Sequence, residues 1–182
     1  GKTTALVGSS GSGKSTALDL LMGLLEPTSG SVLVDGMPIV GSRRRSWQRN
    51  VAHVPQAIFL TDASLAENIA FGVPEGDVDM IRVRESARWA AIAEFIEGAP
   101  EGYDARVGER GIRLSGGERQ RIGIARAMYK RAGVLVLDEA TSALDMETEQ
   151  MVIDSIEEYG HDLTVIVVAH RLATVERCDI IY

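Results

Sequence analysis

The stretch GSSGSGKS at residues 8–15 constrains this chain more than any other. It follows TTALV, a short β-rich run, and opens KSTALDLLMGLL, where Leu18, Leu21, Met22 and Leu25 recur at helical spacing. Strand, glycine-rich loop and helix in that order fit the phosphate-loop pattern G-x-x-x-x-G-K-[ST]. Gly8, Gly11 and Gly13, with Ser9 and Ser12 between them, let the backbone wrap a phosphate with its N–H groups pointing inward. Lys14 can reach the β- and γ-phosphates of a nucleotide, and the Ser15 hydroxyl can ligate Mg²⁺, with Thr16 just beyond. A glycine-rich turn without a ligand is the plainer alternative. The flanking strand and helix and the Lys-Ser pair together argue against it.

Further along, SVLVDG and NVAHV read as strands, SLAENIAF as a helix, and DVDMIRVRESARWAAIAEFI as one longer helical stretch carrying Ile81, Ala87, Trp89, Ile92 and Phe95. Helix resumes after Gly117. The apolar strand in GVLVLDEA precedes a helix from about Asp145 to Tyr159, then the strand LTVIVVAH and the short helix RLATVE. Apolar strands alternating with helices imply an α/β fold with a parallel-type sheet. The mostly helical stretch of about 62–125 interrupts that alternation and is expected to form an inserted helical subdomain. At 182 residues, 45% of them hydrophobic, the chain has room for one domain with a real core.

The net charge of −7 argues against a general nucleic-acid binder, which needs a basic face. Arg43, Arg44 and Arg45 form the single local cationic run, read as a solvated turn or helix face. Cys178 stands alone, so no internal disulfide forms, as suits a reducing compartment. No apolar run approaches the roughly 18 residues needed to span a bilayer, and there is no signal-peptide pattern. The start at Gly1 and the end inside a strand-like run suggest a domain truncated at both ends.

Two further elements carry chemistry. In VLVLDE, Asp138 and Glu139 sit at the carboxyl end of a buried strand, where open α/β sheets bind ligands. Asp138 suits direct or water-mediated coordination of Mg²⁺, and Glu139 can polarise an attacking water as general base. Two solvated acids closing a strand is the alternative. In RLSGGERQR, Ser115, Gly116 and Gly117 open a helix whose free N–H groups and positive dipole end suit an anion. An ordinary serine N-cap is the alternative there. If the helical subdomain stands away from the core, one nucleotide does not easily touch both this element and the phosphate loop of its own chain. Two chains facing head to tail solve that problem, each ATP lying between the phosphate loop of one and the Ser-Gly-Gly of the other.

Together these motifs resemble the nucleotide-binding domain of ATP-binding-cassette (ABC) transporters over nearly the whole chain. GSSGSGKST is similar to Walker A, HVPQ to the Q-loop, LSGGERQ to the ABC signature, VLVLDE to Walker B, SALD to the D-loop, and the histidine of VVAHR to the switch histidine. Six motifs in the family order are far more specific than any one. The resemblance implies a Mg²⁺-dependent ATPase on a P-loop NTPase core. It implies that Gln56 contacts Mg²⁺ and the attacking water while sensing a membrane partner, that His170 contacts the γ-phosphate, that Ser115 and Gly117 bind the γ-phosphate of the partner's ATP, and that Asp145 crosses the dimer interface.

The segment IFLTDASLAENIAFG and the X-loop-like VGERGIRLSGG, with Glu109 as its coupling residue, resemble exporter-type domains. Ala140 stands where importer ATPases and soluble translation-associated members usually have Pro. The implied setting is the cytoplasmic face of a membrane, with a second nucleotide-binding domain and a transmembrane domain fused upstream as partners and no nucleic acid. An importer ATPase and a soluble ribosome-associated protein are the competing readings. A chromosome-maintenance ATPase is excluded, because Ser115 follows Lys14 by only 101 positions, with no room for a long coiled coil. Two departures stand out: the adenine-stacking aromatic of the family falls before Gly1, and Glu118 occupies a position where many exporters have Gln.

Overall fold

The computed structural model describes residues 1–108, 114–159, 163–169 and 171–182. The chain divides into two compact units, one made of Gly1–His53, Ala132–Glu139 and Asp162–Tyr182, the other of Val54–Arg131 and Ala140–His161.

The first unit is built on a five-stranded sheet. Its strands are β1 (Thr3–Leu6), β4 (Val51–Val54), β5 (Val134–Asp138), β6 (Thr164–Val168) and β7 (Ile180–Ile181), in spatial order β4-β5-β6-β1-β7. The β1–β6, β1–β7 and β5–β6 pairs are parallel. Apolar residues on both faces of β5 produce four consecutive buried positions from Val134 to Leu137, as expected of a sheet covered on both sides. Helix α1 (Lys14–Leu21) buries Leu18 and, just past its end, Met22 against Val51, Val134, Val136 and Val168. The expected strand SVLVDG is a small antiparallel hairpin, β2 (Leu33–Val34) and β3 (Met37–Pro38), turning at Asp35-Gly36. The arginine run lies on a helix, α2 (Ser42–Arg49). That helix holds the end of α1: Trp47 Nε1 donates to the Leu21 carbonyl at 2.6 Å and Gln48 Nε2 to that of Gly23 at 2.8 Å.

The second unit is helical, with α3 (Leu65–Ile69), α4 (Met80–Trp89), α5 (Ala93–Glu97), α6 (Gly116–Lys130) and α7 (Met146–Tyr159). Helix α6 packs against α3 and α4. The single helix expected over DVDMIRVRESARWAAIAEFI is two helices. The chain breaks at Ala91, whose φ of 52° is left-handed and whose carbonyl accepts a bond from Arg121 Nη1 at 3.0 Å. Of the residues expected inside, Ala87 and Ile92 are buried, together with Val83, Ser86, Ala90 and Ile96, and Trp89 is half-buried, whereas Ile81 is 74% exposed and Phe95 41%. The left-handed residue resets the helical phase, so periodicity read across Ala91 mis-assigns Phe95 beyond it, whereas Ile81 precedes the break on the exposed first turn of α4. A last short helix, α8 (Leu172–Glu176), belongs to the first unit.

Candidate active site

The first unit gathers the phosphate loop and the paired carboxylates at one edge of its sheet. Leu6, the last residue of β1, is in register with Val168 of β6, and Val168 with Asp138 of β5. Asp138 therefore stands level with the start of the phosphate loop, two strand spacings or roughly 10 Å across the sheet. This is the carboxyl edge, where parallel sheets hold ligands.

The loop is shaped as an anion cradle. Gly13 caps α1 in the left-handed region (φ 95°, ψ 10°), and no side chain caps the first turn of the helix, leaving its amides to a ligand. At Gly8, whose φ is 156°, a Cβ would lie 2.8 Å from Ser12 Oγ, so a side chain there would push the Ser12 hydroxyl aside. Gly8, Ser9, Gly11, Ser12, Gly13, Ser15 and Thr16 are all exposed. Lys14 arches back over the loop, its Nζ donating to the carbonyls of Gly8 at 2.7 Å and Ser9 at 2.9 Å.

Asp138 is half-buried, and its pKa is raised above the ordinary carboxylate value, chiefly by burial. Charge from Glu139 and Asp19 pushes the same way, while His53 and Lys14 pull it down. Glu139 has a φ of 52°, uncommon for a residue with a side chain, and its amide donates to Val168 O at 3.2 Å. Strain of this kind persists where surrounding structure over-determines a residue, and it concentrates at active sites.

Among the described residues no group of three or more His, Cys, Asp or Glu side chains is arranged to hold a metal. The donors still fit Mg²⁺, which commonly takes one or two protein oxygens and completes its shell with phosphate oxygens and water. A hydroxyl at Ser15 and a carboxylate at Asp138, its ionised form opposed by burial and like charge, are donors of that type. His53 and Asp19 also belong to this charged cluster, although the motifs did not single them out. A signal existed for His53, the one polar residue in the apolar run VAHV, and it is the exposed position of that strand. Its pKa is lowered, mainly by desolvation against the opposing pull of Asp138 and Asp19.

The second unit carries Gln56, Ser115, Gly116, Gly117 and Asp145. Gln56 is exposed shortly after β4. Ser115 is the N-cap of α6, and Glu118 completes a capping box with it. The Ser115 N–H donates to Glu118 Oε2 at 2.7 Å and the Glu118 N–H to Ser115 Oγ at 3.2 Å. This supplies a local reason for Glu118. It was readable from the S-x-x-E spacing, which recurs as the capping box of Ser64 and Glu67 on α3. Gly116 is exposed, and a Cβ at Gly117 would lie 3.2 Å from the Ala143 carbonyl. Asp145 is exposed, its carboxylate accepting the Thr148 N–H at 2.9 Å and the Thr148 hydroxyl at 2.8 Å, and these bonds lower its pKa. Gln120, the last residue of LSGGERQ, to which the motif reading gave no role, is buried. Glu109 and His170 lie outside the described residues.

The comparisons with known proteins agree with this geometry. The ABC transporter family model matches residues 1–142. The heterocyst differentiation ATP-binding protein HepA of Nostoc is 47% identical over 179 residues, covering 98% of this chain and 29% of its own length. The beta-(1→2)glucan export ATP-binding/permease protein NdvA of Rhizobium meliloti is 48% identical over all of this chain and 31% of its own. An ATP-dependent lipid A-core flippase of Methylococcus capsulatus is 48% identical over 98% of this chain and 30% of its own. The chain thus spans under a third of the length of these relatives. A solved ATP-bound bacterial Atm1-family ABC exporter superposes with a TM-score of 0.92 at 41% identity, over all of this chain and 32% of its own. A phosphate loop, a level carboxylate pair and a capped Ser-Gly-Gly helix, in a sequence matching at this depth, mean that the chain belongs to the ABC transporter family and carries its P-loop NTPase core.

Proposed function

We propose that this ATPase domain powers export across a membrane, with each ATP held between two such domains. The observation that carries the reading is the register placing Asp138 level with the end of β1, beside a phosphate loop whose helix amides have no side-chain cap. Export is favoured over import by the relatives, whose names are those of a glucan export protein, lipid A-core flippases and an exporter. The joint naming of NdvA as ATP-binding and permease supports a transmembrane domain on the same polypeptide. Among the described residues no helix is long and apolar enough to cross a membrane. The ATPase domain is assigned to the cytoplasmic face, residues 62–125 to its helical subdomain, and the whole chain to one nucleotide-binding domain.

In this reading the amides of residues 8–16, from Gly8 through Gly11 and Gly13 to Thr16, hold the β-phosphate, and Lys14 leaves the Gly8 and Ser9 carbonyls to bridge the β- and γ-phosphates. Ser15 and Asp138, with Gln56 as the resemblance implies, would hold Mg²⁺, which when bound would supply positive charge to the phosphates. Glu139 accepts the proton of the attacking water, and His170 orients the γ-phosphate. The partner domain supplies Ser115, Gly116 and Gly117 to that phosphate, while Asp145 lies at the interface. Loss of the γ-phosphate removes what joins the domains, so hydrolysis loosens the pair.

The test uses two substitutions. Glu139→Gln is expected to slow ATP turnover strongly and to prolong an ATP-bound dimer seen by sizing. Ser115→Arg is expected to abolish turnover while nucleotide still binds the phosphate loop. Unchanged turnover in Glu139→Gln would remove the assigned base. Loss of nucleotide binding by the Ser115→Arg monomer would contradict the shared site.

A further inference from the structure

We infer that Gln120 is a positioning residue that locks the phosphate-facing end of α6 to the 141–145 loop, so that the two move as one body during turnover. The inference rests on the proposal that Ser115 serves the partner domain's ATP.

Gln120 is 95% buried, five residues into the helix that Ser115 caps. Both ends of its amide are engaged with the loop. Nε2 donates to Ser142 Oγ at 3.2 Å, and Oε1 accepts the Ala143 N–H at 2.9 Å. One turn nearer the helix start, Gly117 is close-packed on the loop: a Cβ there would crowd the Ala143 carbonyl at 3.2 Å and touch the Leu144 side chain at 3.6 Å. The first two turns of α6 therefore rest directly on Ala143 and on the Leu144 side chain.

The loop is held at its other points as well. Thr141 Oγ1 donates to the buried Glu149 at 2.7 Å, and Asp145 is tied to Thr148. Leu144 is buried, and its amide closes a turn onto the Thr141 carbonyl at 3.0 Å. The loop is thus a stiff piece fastened to α7 at both ends and to α6 through Gln120. Along the chain Ala143 follows Glu139 by four residues. A displacement of the Ser115 end is passed through Gln120 to a rigid segment joined covalently to the proposed base. A misplacement of the order of 1 Å is enough to cost catalysis heavily without altering ground-state binding. Ser142 and Ala143 are exposed, so water can satisfy them when the amide is removed. The effect of losing Gln120 is accordingly a loss of positioning more than of folding.

The experiment compares wild type, Gln120→Leu, Gln120→Glu and Ser142→Ala in the full-length protein, measuring kcat and KM for ATP and the melting temperature. Gln120→Leu keeps the volume and removes both bonds; it should lower kcat by about tenfold or more with KM changed less than about twofold. Gln120→Glu accepts from both Ala143 N–H and the Ser142 hydroxyl and should recover most of the lost rate. Ser142→Ala removes one bond and should fall between wild type and Gln120→Leu, which keeps the test open even if Gln120→Leu folds poorly. Wild-type kcat in Gln120→Leu, or a Gln120→Glu as slow as Gln120→Leu, overturns the inference. Failure of the underlying reading looks different: Ser115→Arg would then turn over at the wild-type rate whatever Gln120 does.

Discussion

Ser115 and Glu118 cap each other: the backbone N–H of Ser115 meets the Glu118 carboxylate at 2.7 Å, and the Glu118 N–H meets Ser115 Oγ at 3.2 Å. The carboxylate thus brings negative charge to the helix end assigned to a phosphate. Glu118→Gln keeps an oxygen acceptor for Ser115 and drops the charge. It should tighten ATP-dependent association at low salt, with the advantage shrinking as ionic strength rises. Glu118→Ala loses the reciprocal half of the capping box, the bond from the Ser115 N–H, while the residue-118 N–H still reaches Ser115 Oγ, and should cost about 0.5–1 kcal/mol of stability. Equilibrium unfolding and a salt series of dimerisation by sizing check both; equal salt dependence in wild type and Glu118→Gln would contradict the charge argument.

Burial and the charges of Glu139 and Asp19 work against an ionised Asp138. Because its folded pKa lies above the ordinary value, the ionised side chain reduces stability at neutral pH. Asp138→Asn should therefore melt at a higher temperature than wild type in the presence of a chelator, while losing Mg²⁺-dependent hydrolysis. A lower melting temperature would mean that Asp138 is a structural support.

For Asp145 the sign is reversed. Hydrogen bonds from Thr148 lower its pKa, so they stabilise the fold above the ordinary carboxylate pKa, and the contribution is lost as pH falls through the lowered value. The difference in melting temperature between wild type and Asp145→Ala should be largest near neutral pH and shrink below about pH 4, where the unfolded-state carboxylate begins to titrate. A pH-independent difference would assign the effect to something other than the charge.

Gly123 lies in α6 against Ile58, and a Cβ there would come within 2.4 Å of the Ile58 Cδ1. Gly123→Ala should destabilise the protein by about 1–3 kcal/mol through overpacking, despite the better helix propensity of alanine. Adding Ile58→Ala should return part of that loss. Denaturant titration of the two single variants and the double variant measures the coupling.

The capping boxes show how site geometry is written locally. Ser115 and Glu118, like Ser64 and Glu67, lie three residues apart, and that spacing alone defines a helix start. The phosphate loop is legible for the same reason, since glycines, Lys14 and Ser15 act within eight consecutive residues. Gln120 was not legible. A glutamine in phase with Ile124 and Ala127 on a buried helix face signals that a polar partner must exist, but its partners Ser142 and Ala143 lie more than 20 residues away.

The amino-acid sequence by itself determined the α/β alternation, the phosphate loop at the start of α1, the acidic end of β5 and the helix opening at Ser115. Each follows from short-range periodicity, backbone freedom or capping chemistry. Only the tertiary structure decided that Asp138 stands level with Leu6, because that register runs through β6, which enters the chain long after both. It also decided the break at Ala91. No proline or glycine marks that position; a left-handed residue there is held by burial of Ile92 and the bond from Arg121, both of which depend on contacts distant in sequence.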